Sequence, residues 1–125
     1  MDKFDNLLNQ VIDEVFRYSL GDINTNIIYE YFEKIGFPLK DISRNNLEFF
    51  SQMLRKLLGC GRGQILGSAP ILEKAIVKAL YIKLGLNPPN FEGPVVFAKE
   101  IKKLKEIYNN GKLTLSKQDS TGNRR

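Results

Sequence analysis

Residues 70–86, PILEKAIVKALYIKLGL, decide the fold class. Ile71, Leu72, Ala75, Ile76, Val77, Ala79, Leu80 and Leu84 recur at three- and four-residue steps, the period of an α-helix. The apolar face is too wide for a helix that touches one neighbour, so the segment is expected to be the central, most buried helix of an all-α protein. Pro70 suits a first helical turn, where its missing N–H has no helical partner, and Gly85 closes the segment.

Moving outward, every clear periodicity is helical. Phe4, Leu7, Leu8, Val11, Ile12, Val15 and Phe16 form one stripe, with Asp2 or Asp5 as its cap and Gly21 at its end. A second helix is expected from about residue 23 to 35, with Asp22 as N-cap, Gly36 as terminator, and Ile23, Ile27, Ile28, Tyr31, Phe32 and Ile35 facing inward. After a loop with Pro38 and Asp41, Ser43 caps a third helix carrying Leu47, Phe50, Leu54 and Leu57, with Phe49, Met53 and Leu58 more loosely placed, and Gly59 stops it. Beyond the rigid Asn87-Pro88-Pro89-Asn90 loop, a fifth helix starts near Gly93-Pro94, carries Phe97, Ile101, Leu104 and Tyr108, and ends at Asn109-Asn110-Gly111. The expectation is about five helices in one compact domain over residues 1–111, followed by a polar, basic tail over 112–125. In that tail Lys112-Leu113-Thr114-Leu115 is the one weak strand candidate.

An internal repeat is visible. IIYEYFEKIGF (27–37) aligns with IVKALYIKLGL (76–86) at a shift of 49, and FFSQMLRKLL (49–58) with VFAKEIKKLK (96–105). Ile27 falls on Ile76, Ile35 on Leu84, Gly36 on Gly85, Phe50 on Phe97, Leu54 on Ile101 and Leu57 on Leu104. Two amphipathic helix pairs can align this well without common origin. The alternative is a duplicated pair, 23–58 and 70–108, packed with pseudo-twofold symmetry.

Composition narrows the function classes. The chain has 125 residues, 42% hydrophobic and 26% charged, as in a folded globular protein. No apolar run exceeds four residues, so no membrane span is expected. Acids near the N-terminus, where a signal peptide carries bases, and a single cysteine point to the cytoplasm. The absence of histidine removes the commonest general base, the usual zinc ligands and the base that would activate Cys60. The carboxylate pairs Glu30/Glu33 and Asp13/Glu14 have no second cluster to complete a metal site. No catalytic residue, metal or cofactor is assigned, and no enzyme is expected.

Two features could meet an anion. The glycine-rich stretch GCGRGQILGSAP (59–70) fails both phosphate-loop spacings, because nothing basic follows Gly67 and the third glycine comes one residue late. It reads as a joint between the two helix pairs, with Arg62 near the following helix start as a modest anion candidate. The second feature is charge asymmetry: residues 1–62 sum to −1 and residues 63–125 to +6. Lys99, Lys102, Lys103 and Lys105 lie opposite the apolar stripe of the fifth helix, and Lys112 follows in the tail. Such a face could contact nucleic-acid phosphates without sequence preference, but the favoured reading of it is a solvated lysine-rich surface.

The segment NNLEFFSQMLRKLLG…APILEKAIVKALYIKLGL, followed by FAKEIKKLKEIY, resembles a group of small, mostly archaeal helical proteins named as a Nitrosopumilus-type output domain, found alone or joined to signalling and regulatory modules. The likeness spans roughly residues 20–108 and rests on the hydrophobic pattern and the Lys83-Leu84-Gly85-Leu86 ending. It implies an interaction or output role, names no partner, and carries no catalytic or binding residue onto this chain. The expected partner is an unknown protein, a second copy of the chain included. Nucleic-acid binding by the basic half is the alternative.

Overall fold

The computed structural model describes residues 3–37, 47–59, 69–93 and 95–111. These are all-helical outside turns and connecting segments, in the order α1 (Lys3–Lys34), α2 (Leu47–Leu58), α3 (Ala69–Lys83) and α4 (Phe97–Asn109). Residues 60–68 of the expected joint, with Cys60 and Arg62, the Ser43 cap, and the tail with Lys112 and its strand candidate, lie outside the described residues.

Helix α1 replaces the first two expected helices, yet the break at Gly21 stands. Gly21 sits at φ 84°, ψ 166°, a conformation that glycine alone adopts readily. A straight helix would set residues 13 and 29 about 24 Å apart at 1.5 Å per residue. Instead the Tyr29 hydroxyl donates to Asp13 Oδ1 at 2.6 Å, and the Phe16 and Tyr29 rings lie 6.4 Å apart. The chain therefore folds back sharply, without an intervening loop, into an N-terminal arm (3–20) and a C-terminal arm (22–34). Arg17 clamps the fold from outside. Its guanidinium donates to Asp13 and Asp22, both at 2.9 Å, and to Asn26 at 3.3 Å. Asp22, expected as an N-cap, thus enters an ion pair across the bend.

The C-terminal arm also turns a different face inward than its isoleucines suggest. Thr25, Ile28 and Phe32 are buried, whereas Ile23 and Ile27 are exposed and Ile35 and Tyr31 only partly covered. Thr25 can go inside because its hydroxyl donates to the Gly21 carbonyl at 2.7 Å, leaving no unsatisfied polar atom.

Helix α3 packs against each of the other three helices, as its wide apolar face predicts. Around it a chain of rings joins the elements. Phe32 stacks on Phe50 at 5.6 Å, Phe50 meets Phe97 at 5.5 Å, and Phe37 meets Phe49 at 5.1 Å. Each fully buried Phe contributes about 1.5–3 kcal/mol by burial alone, and each ring pair about 0.5–1.5 kcal/mol more.

The C-terminal arm of α1 and α3 end alike. Phe37 N–H donates to Phe32 O at 2.9 Å and Gly36 N–H to Glu33 O at 3.0 Å. Leu86 N–H donates to Tyr81 O at 2.8 Å and Gly85 N–H to Ile82 O at 3.0 Å. Both are Schellman endings with glycine in the left-handed region, φ 78° at each. Helix α4 begins three residues later than Pro94 suggests: Val95 precedes an extended Val96 at φ −88°, ψ 98°, and Val95 is buried against the core.

Candidate interaction faces

The lysines expected to form one basic face do not share one environment. Lys99 and Lys102 are exposed on the outer side of α4. Lys103 is exposed as well, 3.7 Å from Glu100, and a hydrogen bond to Tyr81 with Glu100 nearby holds its ammonium above the usual lysine range. Lys105 turns to the flank and meets Asp5 at 3.1 Å, a carboxylate buried in the first turn of α1. That pair ties the last helix to the first. Three of the four lysines thus stay exposed on α4, and Lys105 leaves the expected face. Arg62 and Lys112 lie outside the described residues.

Sequence reasoning missed Glu73. It sits one step from the apolar positions of α3 and is fully buried, with 0% exposure. Arg55 of α2 reaches its Oε1 at 2.8 Å, and the Ser51 hydroxyl donates to Oε2 at 2.5 Å. Burial pushes the Glu73 carboxyl above the usual range, while Ser51 and Arg55 pull it back. The wide apolar face of α3 was the available signal: a charged residue inside such a face must go under with it or break the face. Ser51 and Arg55 also line a recess of about 250 Å³ with Glu48, Gln52 and the start of α4. The Arg55 charge there is already met by Glu73, so the group works as a polar pin between α2 and α3.

Among the described residues no group of three or more His, Cys, Asp or Glu side chains is placed to hold a metal ion, and no helix is long and apolar enough to cross a membrane. Glu30 and Glu33 line a shallow groove of about 510 Å³ with Asn26, Tyr29 and Lys34.

Besides Tyr18 on the N-terminal arm and Val96 before α4, the most exposed large apolar side chains are isoleucines. Ile23 is 77% exposed, Ile27 57% and Ile82 65%. Ile23, Ile27, Glu30 and Lys34 follow one another at helical steps on the outer side of the C-terminal arm. On α3, Ala75, Ala79 and Ile82 make a comparable stripe, half-buried except for Ile82, flanked by Lys74 and Lys78. No family model, curated protein or solved structure matches the chain.

Proposed function

We propose that this chain is a non-enzymatic helical interaction domain, built from a duplicated helix pair and serving as an output element of archaeal regulation in the cytoplasm. The observation that carries the reading is the set of exposed isoleucines, Ile23, Ile27 and Ile82, set on rigid helices rather than on loops. Isolated exposed aliphatics are ordinary; aliphatics repeated at helical steps on an outer face fit a partner surface. The duplication is supported by the paired Schellman endings, 49 residues apart, and by Phe50 and Phe97, aligned at 47, touching each other near the middle of the molecule. The resemblance to the archaeal output-domain group agrees with a role in contact rather than turnover.

A pull-down from native extract, with and without nuclease, tests the reading. A protein partner should survive nuclease and be lost with Ile23→Asp, Ile27→Asp or Ile82→Asp. Turnover of a small substrate, abolished by a point substitution that leaves the fold intact, would overturn it.

The second reading, nucleic-acid binding, rests on exposed Lys99 and Lys102. It requires binding at ~50 mM salt that weakens steeply with added salt and drops with Lys99→Glu/Lys102→Glu. The pairing of Lys105 with the buried Asp5, which takes it out of the expected face, makes it the weaker of the two.

A further inference from the structure

The two aliphatic stripes carry opposite charge. On the C-terminal arm of α1, Ile23 and Ile27 are followed by Glu30 and Glu33; on α3, Ile82 is preceded by Lys74 and Lys78. Among the described residues none of these four charged side chains is in an ion pair. Glu30, Glu33 and Lys78 are exposed and Lys74 is half-buried. Lys34 also lines the acidic groove and reduces its charge without cancelling it.

The order along each helix matters. The arm runs from aliphatic to acidic, and α3 runs from basic to aliphatic. Laid antiparallel, the two faces match at both ends: Ile23 and Ile27 meet Ile82, and Glu30 and Glu33 meet Lys78 and Lys74. The spacing agrees as well. The centres of the aliphatic and acidic groups lie about 10 Å apart on the arm, and those of the aliphatic and basic groups about 9 Å apart on α3, at 1.5 Å per residue. Laid parallel, each isoleucine group would face charge.

We propose that the occupant of the α1 arm is a second copy of this chain, docking its α3 face antiparallel onto the arm. The inference rests on the interaction reading above and names the partner. Contact is between unlike faces, so each copy offers one of each, and opposite charges set orientation while the isoleucines supply the buried area.

Charge reversal tests it, by sedimentation over roughly 1 µM to 1 mM, the range of weak contacts. Wild type should self-associate, less at high salt. Glu30→Lys/Glu33→Lys and Lys74→Glu/Lys78→Glu should each bind themselves at least about tenfold more weakly, because like charges then meet. Mixed together, the two variants should associate again, since the basic arm of one then meets the acidic α3 face of the other, with reversed sign, and the acidic arm of the second meets the basic α3 face of the first, with the native sign. Circular-dichroism melts of each variant verify that the fold is kept. Wild-type association that persists unchanged in both variants would overturn the docking scheme while leaving self-association standing. Wild type that stays monomeric throughout would overturn the second copy as partner, and the pull-down with the isoleucine variants then judges the interaction reading on its own.

Discussion

At positions 49 residues apart, the C-terminal arm of α1 and helix α3 carry Ile27 and Ile76, and Ile35 and Leu84. Their endings are the same hydrogen-bonded turn, with Phe37 or Leu86 folded back over the helix. Their surroundings differ. Ile76 and Leu84 are buried, whereas Ile27 and Ile35 are exposed. The second helices repeat the contrast, with Leu104 fully buried and aligned Leu57 at the surface. The difference has a structural cause. The pair α3–α4 is flanked by the N-terminal arm of α1, through Glu14 to Lys83 and Asp5 to Lys105. One arm can cover one pair. The other pair keeps its isoleucines outside, and a partner would complete there what the N-terminal arm completes on α3.

Several substitutions would break or sharpen that comparison. The largest effect belongs to the ring contact that joins the pairs. Phe50→Ala should cost about 3–5 kcal/mol in urea unfolding, since Phe50 is enclosed by Phe32 and Phe97. A loss below about 1 kcal/mol would mean the rings are not the shared core.

Next comes the aligned isoleucine pair itself. Ile76→Ala should cost about 2–5 kcal/mol, and Ile27→Ala no more than about 0.5 kcal/mol in dilute protein. Equal costs would contradict the asymmetry of the two pairs.

The bend that creates two arms from one helix depends on Gly21. Its neighbourhood is open, so an added Cβ would meet no atom, but at φ 84° any side chain strains the backbone. Gly21→Val should therefore cost about 1–3 kcal/mol. A neutral outcome would mean that the bend is not fixed at this residue.

The smallest effect concerns Glu73. Its carboxyl is raised above 4.5 chiefly by burial, so folding favours the protonated form. The stability it contributes is fully present below the ordinary carboxylate range and declines as pH rises through the raised value. Glu73→Gln removes that decline. The stability difference, wild type minus variant, should fall as pH rises from the ordinary carboxylate range through the raised value and then level off, followed by thermal melts at a series of pH values. A difference that rises with pH would show that the Ser51 and Arg55 interactions outweigh desolvation.

Much of this architecture was legible in the chain. The helical periods, the breaks at Gly21, Gly36, Gly59 and Gly85, and the central position of α3 follow from local rules that packing did not override. The inward face of the C-terminal arm did not. Ile23, Ile27, Ile28, Tyr31, Phe32 and Ile35 spread with Thr25 over more than half of that helix, and periodicity cannot choose among them. The bend at Gly21 and the Thr25 bond to the Gly21 carbonyl chose instead. The candidate basic face was half legible: a helical wheel separates Lys99 and Lys102 from the apolar stripe, but it cannot see that Asp5, a hundred residues away, draws Lys105 inward. Glu73 was invisible for the same reason, because its partners Ser51 and Arg55 come from another helix.

The central claim is that the exposed face of one pair is met by the opposite pair of another copy. Disulfide trapping tests it most directly. In a Cys60→Ser background, Ile27→Cys and Ile82→Cys proteins are mixed under mild oxidation. The account predicts a 27-to-82 crosslink between copies, and little or no 27-to-27 or 82-to-82 product. Crosslinks that form equally among all three combinations, or only between like positions, would contradict it.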